Sequence, residues 1–287
     1  MKCFYQDVDH NGKGAAALVK VLHPHCELVG LDSPELPWDS IEPGEVIYMV
    51  DMALQPYTEM VRLADYCDFH WVDQHFTSIM GLKALGVELN GKQEFGRSSI
   101  ELLWEYLHAD APVPLAIKLI GAYNRWDHSD PRTLLFHYGL RLENTDPGNT
   151  ALWTKLFAHD TTHVQEIVER GALIQQFVER EYQDYAKQAA FVTQLDGGIR
   201  ALAINRGLTG SPILDPLFDP QKHDVICIFY FQASLLRWRF SVYKPASSQS
   251  DANCNDIAAK YGSSLGGDFN AANFSLPYIP FKLPLPK

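Results

Sequence analysis

The sequence is short of positive charge. Against 35 acidic residues it has 24 Lys and Arg, a net charge of −11. That excludes recognition of nucleic acid through a broad basic surface, and leaves phosphate handling to a local site, with a metal to offset the carboxylates. It is equally short of cysteine, with five in 287 residues. The count is odd, the spacing wide and no Cys-x-x-Cys pair occurs, which excludes a disulfide framework and a structural zinc site of the usual spacing. Long apolar runs are missing too. Val225–Phe231 is among the longest at seven residues, where a bilayer needs about 20. Asp7 and Asp9 interrupt the N-terminus where a secretory core would lie. The expected setting is the cytoplasm, with no membrane partner. There is no internal repeat and no low-complexity tract.

What is present is ordinary globular material: 46% hydrophobic and 21% charged residues, enough for a substantial core. A length of 287 residues suggests two domains at about 150 residues each. The charge is unevenly spread. Residues 191–287 hold nine basic and seven acidic side chains, whereas residues 1–190 hold fifteen and twenty-eight, again suggesting two units.

Short apolar runs alternate with helical stretches in the front half. Cys3–Tyr5, Val46–Val50 and Phe69–Val72 read as buried strands; Ala15–Leu22, Tyr57–Tyr66 and a capped stretch from Ser98 through Leu107 read as helices. Such alternation predicts an α/β fold with a mostly parallel sheet covered on both faces. Thr161–Ala190 reads as one long amphipathic connector helix. Beyond it, Arg200–Asn205, Asp224–Phe231 and Leu235–Tyr243 read as strands, and Gly262–Gly267 as a glycine-rich loop. Trp238, Phe240 and Tyr243 are expected to share one strand face, mainly for core packing and otherwise as a base-stacking platform. The boundaries expected are a metal-binding domain over 1–160, the connector over 161–190 and a smaller α/β domain over 191–287.

The carboxylates fall in a pattern. Asp7 and Asp9 follow the first strand, Asp51 follows the second, and Asp73 follows the third, with His75 two residues on. In open α/β sheets ligands bind at that edge. Four carboxylates and a His gathered there repel one another without a cation, and Mg²⁺ or Mn²⁺ takes such oxygen ligands, Mn²⁺ also accepting imidazole. Singly, each Asp has an ordinary use as a turn former or helix cap.

These residues resemble the motifs of the DHH phosphoesterase superfamily and its DHH-associated C-terminal domain. Tyr5-Gln6-Asp7-Val8-Asp9-His10-Asn11-Gly12 resembles the first motif, Val50-Asp51 the second, and Trp71-Val72-Asp73-Gln74-His75 the Asp-His-His motif itself. Arg97–Trp104 is similar to the helix that follows, Asn124-Arg125-Trp126-Asp127 lies where a fourth motif is expected, and Ala258–Phe274 is similar to the glycine-rich signature of the C-terminal domain. The resemblance implies a metal-dependent phosphoesterase with His75 and Asp73 in catalysis. It implies metal positions at Asp7, Asp9, Asp51, Asn11, Gln74 and Asp127, with Asn124 as the alternative to Asp127. Substrate contacts would fall on Gly266, Gly267, Asp268, Asn270 and Arg97, with Lys13 a further phosphate contact.

The departures from the family pattern set the expected centre. Asn11 and Gln74 stand where a carboxylate and an imidazole ligand are usual, and amides are weak ligands beside either. One Mn²⁺ or Mg²⁺ ion is therefore expected rather than two. Asp268 replaces a substrate-contacting His. The implied substrate is a small phosphorylated or nucleotide molecule, a phosphodiester or short single-stranded oligonucleotide. The alternative is a catalytically impaired relative that binds a nucleotide or a protein partner. A homodimer is compatible with either.

Overall fold

The computed structural model describes residues 1–31, 36–109, 111–207, 209–262, 264–267 and 269–284. The chain divides into two compact units, residues 1–175 and 176–287.

In the first unit the elements run β1 (Lys2–Gln6), α1 (His10–Leu22), β2 (Glu27–Leu31), β3 (Val46–Val50), α2 (Thr58–Tyr66), β4 (Asp68–Asp73), α3 (Phe76–Ala84), β5 (Gly91–Gln93), α4 (Ser99–Leu107), α5 (Leu115–Asn124), α6 (Arg132–Leu140) and α7 (Thr150–Phe157), before α8 (Thr162–Ala189). The five strands form a parallel sheet in the order β2-β1-β3-β4-β5. Its central strands β1, β3 and β4 are mostly buried, so their side chains divide between two cores with period two. Cys3, Tyr5, Tyr48, Val50 and Val72 point to the core built with α1, α4, α5 and α7. Phe4, Ile47, Met49, Phe69 and Trp71 point to the opposite core, with α2 and α3. Helix α1 is held by its first turn, where Asp9 Oδ1 accepts from Asn11 N at 2.8 Å and Gly12 N at 3.2 Å. Helix α4 begins with the capping box Ser98–Glu101, which satisfies two of its free amide donors.

In the second unit β6 (Phe191–Leu195), β7 (Ile199–Asn205), β8 (Val225–Gln232), β9 (Arg237–Tyr243), α9 (Cys254–Lys260), β10 (Ser264–Gly267) and β11 (Ala271–Leu276) follow. The sheet order is β10-β11-β9-β8-β7-β6; β7 and β8 pair in parallel and the other four pairs are antiparallel among the described residues. Helix α8 starts in the first unit, where Val164, Ile167 and Val168 enter the core, and ends in the second, where Ala186 does so.

Three sequence expectations need correction. The glycine-rich stretch is not wholly a loop: Ser264–Gly267 is an edge strand, because β11 supplies it with an antiparallel partner. The strand expected from Leu235 begins at Arg237, since Ala233–Leu235 is a 3₁₀ turn closed by Leu236 at φ 51°. Tyr243 does not share a face with Trp238 and Phe240. Its odd spacing sends it to the opposite side with Ile226 and Ile228, and Val242 takes its place beside Phe240 in the core.

Helices α6 and α8 approach closely through two glycines. A Cβ at Gly139 would meet the Ile167 carbonyl oxygen at 2.1 Å, and one at Gly171 the Leu135 carbonyl oxygen at 1.8 Å. Backbone cannot yield as a side chain end can, so Gly139→Ala is expected to cost about 1–3 kcal/mol, read as a lower thermal midpoint. An unchanged midpoint would show that this crossing does not need its glycine.

Candidate metal centre

The order β2-β1-β3-β4-β5 reverses direction between β1 and β3, and beyond the C-terminal ends of such a pair lies the crevice where ligands bind. Three acidic side chains arrive there from three elements. Asp9 caps α1 behind β1, Asp51 is the first residue past β3, and Asp73 is the last of β4. Asp51 and Asp73 are both buried, at 1% and 0% exposure.

Asp51 adopts φ 61°, a left-handed conformation that Asp tolerates better than most residues but that still costs about 1 kcal/mol or more. Its N–H donates to the Val72 carbonyl at 3.0 Å. The carboxylate is then met by two amides. Asn11 Nδ2 and Gln74 Nε2 each donate to Asp51 Oδ1 at 2.8 Å. The direction of the Asn11 amide is fixed at its other end, because Ile100 N, which can only donate, gives its hydrogen bond to Asn11 Oδ1 at 3.1 Å. The Gln74 oxygen is engaged by the Ser99 hydroxyl. Both amide oxygens therefore face the start of α4, and both amide nitrogens face Asp51.

The remaining oxygens are the notable ones. Asp51 Oδ2 and Asp73 Oδ2 are buried and have no hydrogen-bond partner among the described residues. Leaving such a group unsatisfied costs about 1–3 kcal/mol or more. Asp73 Oδ1, by contrast, accepts from Gln74 N at 2.9 Å, His75 N at 3.3 Å and His75 Nδ1 at 2.7 Å. One ligand atom from each of Asp51, Asp73 and His75 lies within 4.8 Å of the others. Gly12 keeps the side next to Asp51 open, since a Cβ there would stand 3.1 Å from Oδ2. Two unpartnered carboxylate oxygens fit a hard divalent ion such as Mn²⁺ or Mg²⁺, with the His75 imidazole beside them.

The electrostatics agree with this fit. Burial, with the fields of Asp9 and Asp73, pushes the Asp51 carboxyl well above the usual carboxylate range, against the opposing field of His75 and the Gln74 hydrogen bond. Burial pulls His75 down, but its hydrogen bond to Asp73 and the fields of Asp73, Asp51 and Asp9 outweigh that and hold the imidazole above its ordinary value. The cluster thus retains protons that a cation would displace.

The other candidate residues stand apart from this cluster. Asp7 is partly exposed and pairs with Lys13 at 3.4 Å, so each of these two side chains has a partner in the other. Asp127 is exposed and accepts from Ser129 N at 3.0 Å; Asn124, not Asp127, lines a cavity together with Asp9 and Asn11. Arg97 is paired with Glu105 and, at 3.9 Å, with Glu94. Gly266 and Gly267 lie in edge strand β10 of the second unit, and the Asn270 carbonyl accepts from Lys244 N at 2.8 Å. Asp268 lies outside the described residues. The contributions of Ser99 and the Ile100 N–H were not foreseen. The capping box marked the start of α4, but nothing in the sequence said what that helix end would face.

Two solved structures are similar to this chain over most of their length. One is PggH, a pGpG-specific phosphodiesterase from Vibrio cholerae, with 14% identity over 96% of this chain and 92% of that one and a TM-score of 0.52. The other is the DHH domain of a member of the s1p family of ribosomal proteins, with 11% identity over 96% and 82% and a TM-score of 0.57. The fold of this chain is similar to that of a DHH domain. No protein-family model matches the sequence, and no curated protein matches it. Within this DHH-type fold, Asp73, Gln74 and His75 come from the end of β4 and the turn into α3, and Asp51 from the end of β3. Among the described residues no helix is long and apolar enough to cross a membrane.

A pH dependence follows. Both Asp51 and His75 have folded-state values raised above their unfolded ones, so the folded protein binds more protons and stability falls as pH rises. In a chelator, the thermal midpoint should therefore fall by a few degrees between pH 6 and pH 9. Asp51→Asn should flatten that slope, and Mn²⁺ should raise the midpoint most at the alkaline end. A wild-type slope identical to that of Asp51→Asn would remove Asp51 as its origin.

Proposed function

We propose that this chain is a metal-dependent phosphoesterase that hydrolyses a small phosphorylated or nucleotide substrate, a phosphodiester or short single-stranded oligonucleotide, with one Mn²⁺ or Mg²⁺ ion. The observation that carries the reading is the division of labour on Asp51. Its Oδ1 is occupied by the Asn11 and Gln74 amides, while its Oδ2 stands unpartnered beside Asp73 and His75. The likeness in fold to a pGpG-specific phosphodiesterase supports the reaction class.

When bound, the ion supplies Lewis-acid stabilisation of developing phosphate charge and a water acidic enough to attack near neutral pH. The chain does the rest. Asn11 and Gln74 aim the Asp51 carboxylate and favour its ionised form through two N–H donors. Asp73 takes the proton-bearing Nδ1 of His75 at 2.7 Å, fixing the ring and presenting Nε2 from a side chain that is 43% exposed. Nε2 is then the group that donates a proton to the leaving oxygen. The same two amides favour a second reading. They relieve part of the desolvation cost of Asp51 without any ion, as a non-catalytic binder of nucleotide or protein would require.

Hydrolysis of bis(4-nitrophenyl) phosphate and of short oligonucleotides with Mn²⁺ tests the choice. Wild type is expected to turn over at least one of them, and Asp51→Asn to lose about two orders of magnitude or more, the scale of removing a charge-stabilising group. Equal rates in the two proteins sink the hydrolase reading for those substrates. Calorimetric titration with Mn²⁺ should give one ion per chain, and two in the double variant Asn11→Asp/Gln74→His. Two ions in the wild type would overturn the single-ion centre, and none, with no turnover, would overturn the metal-dependent hydrolase and favour the non-catalytic relative.

A further inference from the structure

A cavity of 220 Å³ in the first unit is lined by His10, Tyr123, Trp126 and His137, by apolar side chains that include Leu119 and Phe136, and by Asp9 and Asn11. It is smaller than the about 300–1,000 Å³ typical of ligand pockets, which favours a single flat ring system. Its walls are already an array of rings. Tyr123 and His137 stack with centroids 3.6 Å apart and planes 8° from parallel, His10 lies 5.4 Å from His137, and Trp126 lies 6.5 Å from Tyr123 at 26°. Burial pulls the His137 imidazole down to about 3, so this ring is a neutral donor and acceptor rather than a cation. Asn11 lines the cavity and also donates to Asp51 at 2.8 Å.

Trp126 supplies an independent observation. Helix α5 ends at Asn124, Trp126 N donates to the Tyr123 carbonyl at 3.1 Å, and Asp127 N to the Ala122 carbonyl at 2.9 Å. This is a Schellman closure, and its left-handed position is usually Gly. Here it is Trp126, at φ 59° with 57% of its surface exposed. A bulky residue there costs about 1–2 kcal/mol, and packing within the chain returns little for a ring so exposed. A flat ligand stacked on it would be the compensation.

We propose that this cavity receives the nucleobase of a nucleoside phosphate, with the phosphate reaching the Asp51–Asp73–His75 cluster beyond Asn11. Apolar side chains and ring walls suit the flat face of a base, and neutral imidazole with the Asn124 amide suits its edge. Placement of the phosphate rests on the reading of the cluster as a phosphoester site; recognition of the base does not.

The test uses the full chain and calorimetric binding of GMP, AMP and the base-free control ribose 5-phosphate, in Mn²⁺ and in chelator. At least one nucleotide is expected to bind about ten-fold or more tighter than ribose 5-phosphate, the range of base–aromatic stacking. Trp126→Gly suits the left-handed backbone, so it should fold with an unchanged or higher thermal midpoint. It should bring the nucleotide-to-control ratio down by about ten-fold, and Trp126→Phe should restore most of it. Equal affinities for all three ligands in wild type, or an unchanged ratio in Trp126→Gly, overturn the proposal. The two readings fail separately. Nucleotide binding weakened by Trp126→Gly with no phosphodiester turnover keeps the base site and removes the hydrolase; Mn²⁺-dependent turnover with no advantage for a base does the reverse.

Discussion

A buried carboxylate dictates the arrangement around it. Asp51 sits at the C-terminal edge of the parallel sheet with 1% of its surface exposed, where an ionised group is expensive unless it is paired. Among the described residues no Lys or Arg pairs with it. Its partners are two neutral amides on one oxygen and, on the other, a space shared with Asp73 and His75. Neutral donors relieve part of the desolvation cost but cannot cancel the charge, so the residual field raises the proton affinity of the whole cluster. The site is for that reason receptive to a divalent cation, whose charge answers what the amides leave.

The supports of those amides extend the constraint outward. Asn11 is held by the Ile100 N–H, Gln74 by the Ser99 hydroxyl, and α4 is set by its Ser98–Glu101 capping box. Glu101 in turn is bridged by Arg125, next to Trp126 at the end of α5. The cluster, the start of α4 and the aromatic cavity are thus joined by consecutive polar contacts. A change at the capping box would be felt as a misdirected amide beside Asp51, because a buried network loses more than the one bond removed.

Much of this was legible without coordinates. The runs at Cys3–Tyr5, Val46–Val50 and Phe69–Val72 are strands because β-branched and aromatic residues buried on both faces leave no alternation to mistake. Strands too polar or too short to carry that signal, such as Glu27–Leu31 and Gly91–Gln93, were missed; they form because a paired neighbour offers them hydrogen bonds. The Gly262–Gly267 stretch has the composition of a loop, and pairing with β11 makes part of it a strand for the same reason. Of the candidate site residues, the metal position Asp51 and the catalytic candidates Asp73 and His75 lie in one cluster, whereas Asp127 faces solvent and caps its own turn.

The sequence by itself determined which residues end each buried strand, and hence that carboxylates gather at one edge of a parallel sheet. It also determined that two ligand positions carry amides. Only the tertiary structure decided what those amides do. An Asn or Gln side chain presents an oxygen or a nitrogen with equal ease. For Asn11 the choice was made by the Ile100 N–H, 89 residues away along the chain; for Gln74 it was made by the Asp51 carboxylate, which only accepts, with the Ser99 hydroxyl engaging the other end. Turned by those partners, both nitrogens face Asp51, and residues that read as weak ligands become donors that direct a carboxylate.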